Sequence, residues 1–197
     1  MTRILIVSGS PSSTSRSAGL SRVVGRTLVG RGFPVAYLDI RDLPADALVH
    51  ADATHQAIRD SVDVLARAEG VVVTTPIYHA SIAGILKAWF DLLPRTALAG
   101  KAVLPLGTGG SLAHALALDY ALRPILQALG ARHVVGAHLV TDAQLERTTG
   151  GPASPAQVRL HASATDRFSA TLEAFLAALA DHRVPAATPG PTQLRML

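Results

Sequence analysis

Three short polar segments each follow a run of apolar residues: Ser8 to Ser17, Thr74 to Ser81 and Leu106 to Ser111. The first contains six serines, one threonine and Arg16. Hydroxyls, backbone N–H groups and a guanidinium at the start of a helix suit a phosphate dianion. Because the segment lacks the patterns of a triphosphate loop and of a dinucleotide loop, we expect a single phosphate. The alternative is a serine-rich turn that only caps a helix, although capping needs one hydroxyl.

The other two segments could bind a flat ring. The second contains Tyr78 and His79, which offer an aromatic ring and an imidazole after a buried strand. The third is the run Gly107-Thr108-Gly109-Gly110-Ser111, where glycines would let backbone N–H groups approach a heterocycle closely. The alternatives are that Tyr78 and His79 are structural residues and that the glycine run is a plain turn.

Several kinds of chemistry are disfavoured by what the sequence lacks. It has no cysteine, which excludes disulfides, thiolate metal sites and thiol catalysis. It has no Gly-x-Ser-x-Gly motif, and its eight histidines show no metal-ligand spacing. The strand ends that carry carboxylates in a receiver domain here carry Ser8, Gly9, Thr74 and Thr75. We therefore expect no catalytic side chain and no metal, and infer that a bound cofactor supplies the reactivity.

Composition favours one globular domain. The 197 residues are 49% hydrophobic and 16% charged, and no uninterrupted apolar run is long enough to span a membrane. The net charge is +4, but the arginines are scattered and aromatics make up only 4%, which argues against a nucleic-acid partner. The apolar run after Arg3 is too short for a signal peptide, so we expect a cytoplasmic protein.

Apolar runs alternate with helical patterns along the chain, which indicates an α/β fold with a parallel sheet covered on both faces. Ligands of such sheets bind at the carboxyl ends of the strands, where the three polar segments lie. The strands are predicted at 4–7, 35–38, 71–73, 102–106 and 133–140. The helices are predicted at 17–30, 54–68, 82–93, 112–129 and 157–180.

Three further segments interrupt this pattern. Pro124 should kink or disturb the helix at 112–129, because it removes the N–H that would bond the Tyr120 carbonyl. Residues 145–155 read as a polar, mobile excursion. We place the domain at 1–183 and expect a proline-containing tail at 184–197.

The motifs together resemble the NADPH-dependent FMN reductase family, which has a flavodoxin-like fold. Within it, the chain is most similar to reductase components of two-component alkanesulfonate monooxygenases. The resemblance extends over residues 4–182 and is most specific between Gly100 and Pro124. It is carried by Gly9-Ser10-Pro11, Ser15-Arg16-Ser17, Thr75-Pro76-Ile77-Tyr78-His79-Ala80, Gly84-x-Leu86-Lys87, Asp91-Leu92-Leu93-Pro94, Gly100-Lys101, Thr108-Gly109-Gly110-Ser111-x-Ala113-His114 and Asp119-Tyr120-Ala121-Leu122-Arg123-Pro124.

The resemblance implies a three-layer sandwich with a five-stranded parallel sheet in the order 2-1-3-4-5. It also implies an FMN site and NADPH or NADH as the co-substrate that passes hydride to the flavin. The FMN phosphate would be held by Ser10, Ser15, Arg16 and Ser17. The ring would lie on Pro76, Ile77 and Tyr78, in the loop that includes His79, with its pyrimidine edge near Thr108, Gly109, Gly110 and Ser111.

A partner and an assembly are implied as well. Reduced flavin would pass to a flavin-dependent monooxygenase, and Tyr120 would lie in an irregular helix at the interface of a homo-oligomer, a dimer or tetramer. Many relatives have Pro-Glu-Tyr-Asn where this chain has Pro76-Ile77-Tyr78-His79, which favours the sulfonate subgroup. The alternatives are a quinone, nitro or azo reductase that keeps its FMN and, from another class, a flavodoxin-like electron carrier.

Overall fold

The computed structural model describes residues 3–148 and 157–181. The predicted tail at 184–197, the domain boundary at 183 and most of the predicted excursion at 145–155 lie outside these residues. The helices are α1 (Arg16–Gly30), α2 (Ala45–Val49), α3 (Gln56–Ala66), α4 (Gly84–Asp91), α5 (Arg123–Ala128) and α6 (Ala162–Asp181). The strands are β1 (Ile4–Ser8), β2 (Val35–Asp39), β3 (Gly70–Tyr78), β4 (Ser81–Ile82), β5 (Ala102–Gly109), β6 (His133–Val134), β7 (His138–Thr141), β8 (Leu145–Thr148) and β9 (Gln157–Leu160).

Within the described residues, seven strands form one sheet whose parallel strands run in the order β2-β1-β3-β5-β6. Strand β7 continues beside β5 after β6, and the short β4 pairs antiparallel with β3. The predicted α/β fold and the predicted order 2-1-3-4-5 are confirmed, with more strands than the five expected. None of the helices in the described ranges is long and apolar enough to cross a membrane.

Alternation along the buried strands divides the core into two halves. In β1, Leu5 and Val7 pack with α3 and α4 on one face of the sheet. Ile4 and Ile6 pack on the other face with α1 and α6. Because successive side chains of a strand point to opposite faces, an uninterrupted apolar run supplies apolar side chains that pack against the helices on both faces of the sheet.

The predicted fifth strand at 133–140 is wrong as one element, since it is divided into β6 and β7. Between them, the Arg123 guanidinium donates hydrogen bonds to the carbonyls of Val134 and Val135, at 3.1 and 3.2 Å. The Arg123 side chain therefore occupies two backbone carbonyls that, in a continuous strand, would be available to a neighbouring strand, and the strand is interrupted there.

The predicted last helix at 157–180 begins later, at Ala162, because residues 157–160 form β9. Strand β9 pairs antiparallel with β8, so the start of the predicted polar excursion is also a strand. Val158 is buried while Gln157 and Arg159 are exposed, an alternation typical of a strand with one buried face. Val158 packs against α1 at Gly19, where a Cβ atom would come within 2.7 Å of its side chain.

The predicted helix at 112–129 is three pieces instead of one. Residues Leu112–Ala115 form a 3₁₀ turn and Leu118–Leu122 a π-helical turn, after which α5 begins. The N–H of Arg123 donates to the Leu118 carbonyl, five residues back, and Pro124 follows in the first turn of α5. The irregularity expected from Pro124 is therefore a π-helical turn centred on Tyr120. Short α2, at Ala45–Val49, lies between β2 and α3, where the sequence pattern predicts no helix.

Lys101 belongs to one of the motifs that carry the resemblance. It directly precedes β5, so it lies at the opposite end of the strands from the three polar segments. Its ammonium donates to the carbonyl of Ala66, the last residue of α3, at 3.1 Å and to that of Ala68, just after the helix, at 2.6 Å. Burial lowers the pKa of this lysine. We infer that it fixes the end of α3 and takes no part in the site.

Candidate functional site

One cavity of about 230 Å³ lies where β1, β3 and β5 end, and it brings the three polar segments together. Nine of the twelve residues predicted to bind the cofactor line it, together with Asp142 and Arg147. The nine are Ser15, Arg16, Ser17, Pro76, Ile77, Tyr78, Thr108, Gly109 and Gly110. Of the other three, His79 and Ser111 directly follow lining residues in the chain and Ser10 lies five residues before Ser15, but none of the three is part of the lining.

The serine-rich segment is a preorganised loop that ends in a helix N-terminus. The Ser15 hydroxyl caps α1 by accepting the N–H of Ala18 at 3.1 Å. It also donates to the Ser10 hydroxyl at 2.7 Å and lies 3.1 Å from the hydroxyl of Ser17. Ser10 is fully buried, and this hydrogen bond to its hydroxyl fixes the position of the Ser15 side chain. One serine therefore does cap the helix, and its neighbours hold the loop in place around the first N–H groups of α1.

Arg16 is the cation of this loop. Its Nε atom is buried and bonds to no described residue, while its Nη1 atom lies 3.5 Å from Oδ2 of Asp142. A buried guanidinium N–H without a partner is costly, because it has lost its water and gained no acceptor. A phosphate at the N-terminus of α1 would supply that acceptor.

The second segment carries the aromatic side of the cavity. Strand β3 runs past the end of β1, and at Pro76 it pairs with β5 alone, so the missing N–H of proline is tolerated there. A two-residue turn then returns the chain into β4, with both His79 and Ala80 at positive φ, 48° and 59°. This turn leaves Tyr78 exposed at the rim of the cavity and turns His79 away from the lining.

Two of the three glycines of the third segment, Gly109 and Gly110, serve different purposes. A Cβ atom on Gly109 would come within 2.5 Å of Nδ1 of His114, so packing inside the protein accounts for this glycine. A Cβ atom on Gly110 would meet no protein atom within 4 Å. Gly110 therefore leaves open space in the cavity that a ligand can use. Ser111 is directed elsewhere, since its hydroxyl accepts the N–H of Ala113 at 3.3 Å.

Sequence reasoning missed Asp142 and Arg147. Asp142 directly follows β7, so a strand ending at Thr141 would have placed it at the same edge of the sheet as the other segments. Arg147 lies in β8, which crosses to the serine-rich loop, and its guanidinium donates to the Thr14 carbonyl. No local pattern indicates that contact, because it depends on the pairing of β8 with β9.

The arrangement suits a flat heterocycle that carries one phosphate. Arg16 and the N-terminus of α1 form a positive end, Pro76, Ile77 and Tyr78 form an apolar wall, and Gly110 leaves room beside backbone N–H groups. The buried Nε of Arg16, which has no partner among the described residues, fits a phosphate, and the open space at Gly110 fits the edge of a ring, so the residues present are compatible with FMN. Among the described residues, no group of three or more acidic or histidine side chains could hold a metal ion.

Comparison with known proteins identifies similar chains. A family model described as NADPH-dependent FMN reductase matches residues 2–146. An FMN reductase (NADPH) from Pseudomonas putida is 40% identical over 194 residues, which are 98% of this chain and 96% of that protein. One from Escherichia coli is 38% identical over 143 residues, 73% and 75% of the two chains. The solved apo structure of an NADH:FMN oxidoreductase is 37% identical and superimposes with a TM-score of 0.76, covering 92% and 90%.

Replacing Arg16 by alanine should weaken FMN binding by about 1.5–3 kcal/mol, the range for a lost hydrogen bond to a charged group. Fluorescence titration of FMN into the purified protein measures this as a rise in Kd of about tenfold or more. Arg59→Ala is the matched control, because Arg59 is exposed on α3 and bonds to Gln56. An unchanged Kd in Arg16→Ala would show that the phosphate is held elsewhere.

Proposed function

Because the chain belongs to the NADPH-dependent FMN reductase family, we propose that it reduces free FMN with a nicotinamide nucleotide and releases the reduced flavin. The chain is an oxidoreductase that uses FMN with NADPH or NADH. The observation that carries the proposal is the single cavity in which a phosphate site, an apolar wall and an open glycine meet.

In this proposal, the phosphate is held by Ser15, Arg16 and Ser17 together with the first N–H groups of α1. Pro76, Ile77 and Tyr78 support the flavin ring, and the chain from Thr108 to Gly110 borders its pyrimidine edge. Bound FMN supplies the ring atom that accepts hydride from the nicotinamide. That transfer needs no side-chain acid or base, so the contribution of the protein is to orient the two rings and exclude water.

The names of the relatives support FMN as a substrate of the reaction, since the similar proteins from Pseudomonas putida and Escherichia coli are each named FMN reductase (NADPH).

The acceptor of the reduced flavin in our proposal is a flavin-dependent monooxygenase of sulfonate metabolism. Two features of the chain support it, the sequence Pro76-Ile77-Tyr78-His79 and the π-helical turn around Tyr120. Both match the sulfonate subgroup of the family as described above. The cytoplasmic location expected from the sequence stays a prediction.

We propose further that the chain assembles as a homo-oligomer, a dimer or tetramer, through the segment that contains Tyr120. Leu112, Leu116 and Tyr120 are spaced four residues apart and are 63, 60 and 79% exposed. Large apolar side chains in water are unfavourable, and burial against a second copy would remove that cost. The first of the three directly follows Ser111, the last residue of the third polar segment, so the second copy would border the cavity.

Purified protein should oxidise NADPH or NADH rapidly only when FMN is added, because free FMN is the substrate. Stopped-flow absorbance at 340 nm, with each nucleotide and with or without FMN, measures the nucleotide preference and the flavin requirement together. Absence of FMN-dependent oxidation at any flavin concentration would overturn the proposal. A yellow protein that retains FMN and turns over quinones would favour the prosthetic-group alternative.

Leu116→Glu should shift the protein towards the monomer in analytical ultracentrifugation, because a carboxylate would be buried at the proposed interface. Val49→Glu is the control, since Val49 is 78% exposed on α2, a different element from the segment that contains Tyr120. A wild-type protein that is monomeric at micromolar concentrations, or a Leu116→Glu variant that assembles normally, would contradict the interface.

A further inference from the structure

We propose that Asp142 is a built-in competitor of the flavin phosphate, which weakens FMN binding and keeps the flavin exchangeable. The inference rests on the proposed function, because it explains how a phosphate site can release its ligand. Asp142 lines the cavity, and its Oδ2 atom lies 3.5 Å from Nη1 of Arg16, the cation of the phosphate loop. A carboxylate in that place is the opposite of what tight phosphate binding requires.

The backbone holds Asp142 in the cavity. Thr141 pairs with Gly109 in the register of β7 and β5. Asp142, which follows Thr141, therefore lies beside the third polar segment. Asp142 then starts a 3₁₀ turn that ends at Gln144. The Gln144 side-chain oxygen closes the turn by accepting the N–H and the hydroxyl of Thr141, at 3.0 and 3.1 Å. The carboxylate is thus carried by a structured turn and remains near Arg16.

Arg16 has donors for both partners. Nη1 faces Asp142, whereas the buried Nε bonds to no described residue and is available to the phosphate. FMN can therefore bind while Asp142 is in place, but it shares the guanidinium with a carboxylate and meets a like charge nearby. Both effects reduce affinity for a dianion and leave a neutral ligand unaffected.

Arg147, the second cation at the site, does not remove the repulsion between the Asp142 carboxylate and the phosphate. The Arg147 guanidinium lines the same cavity but is bonded to the Thr14 carbonyl, which joins β8 to the serine-rich loop. It stabilises the loop and adds positive charge, while Asp142 cancels one of the two charges. The side chains of Arg16 and Asp142 are 38 and 43% exposed, so water screens the repulsion and the penalty is moderate.

A different role for Asp142 would have the opposite sign. If the carboxylate served to orient Arg16 towards the phosphate, its removal would loosen the guanidinium and weaken FMN binding. The competitor role requires that removal of the charge tightens binding. The sign of the change in Kd therefore separates the two roles.

The test is Asp142→Asn, which removes the charge with little change in shape. We expect the Kd of oxidised FMN, measured by fluorescence titration without nicotinamide nucleotide, to fall about tenfold, with a slower dissociation rate in stopped flow. The Kd of riboflavin, which has no phosphate, should stay within about twofold. Glu173→Gln is the control, because it removes a carboxylate paired with Arg31 just beyond the C-terminal end of α1 and should leave both Kd values unchanged.

An Asp142→Asn variant that binds FMN no more tightly than the wild type overturns the proposal, and so does equal tightening towards FMN and riboflavin. Thermal melting checks that the turn is intact, and Asp142→Ser repeats the test if asparagine destabilises the fold. Because these are binding measurements, they are independent of turnover. Lack of FMN-dependent oxidation in the wild-type protein would defeat the proposed function but would leave the sign of this effect intact.

Discussion

The start of helix α1 is the constraint on which the candidate site depends. The Ser15 hydroxyl caps that start by accepting the N–H of Ala18, and it donates to the buried hydroxyl of Ser10. Ser15 and the first two residues of the helix, Arg16 and Ser17, line the cavity. Helix α1 cannot shift, because Leu20, Val24 and Leu28 are buried against the sheet. A rigid, positive helix end beside the carboxyl ends of β1 and β3 makes the preference for an anion a property of the fold.

The remaining features adjust this anion site to a particular ligand. The extension of β3 beyond β1 provides a wall of Pro76, Ile77 and Tyr78, and the strained turn at His79 and Ala80 exposes the tyrosine ring. Gly110 leaves space for the polar edge of a heterocycle. Asp142 then sets the charge balance. A site whose shape fits the ligand but which places a carboxylate beside the phosphate agrees with the proposed release of the flavin after reduction.

Much of the fold, and most of the residues that line the candidate site, could be predicted because their signals are local. A β-branched run such as Ile4 to Val7 needs burial on both faces, and polar residues after such runs must meet at one edge of a parallel sheet. The division of β6 from β7 depends on the reach of Arg123 to two distant carbonyls. The pairing of β8 with β9, and with it the position of Arg147, depends on contacts with α1. No short window of sequence contains these interactions.

If the loop from Ser10 to Ser17 anchors the flavin through its phosphate, the protein must bind FMN more tightly than riboflavin. The most direct measurement compares the affinities of the wild-type protein for FMN and riboflavin, which differ only in the phosphate. Calorimetric titration at low ionic strength should give a Kd for FMN about 100-fold below that for riboflavin, since at least one charge-assisted hydrogen bond and a helix N-terminus act on the phosphate. Equal affinities for the two flavins would contradict the account.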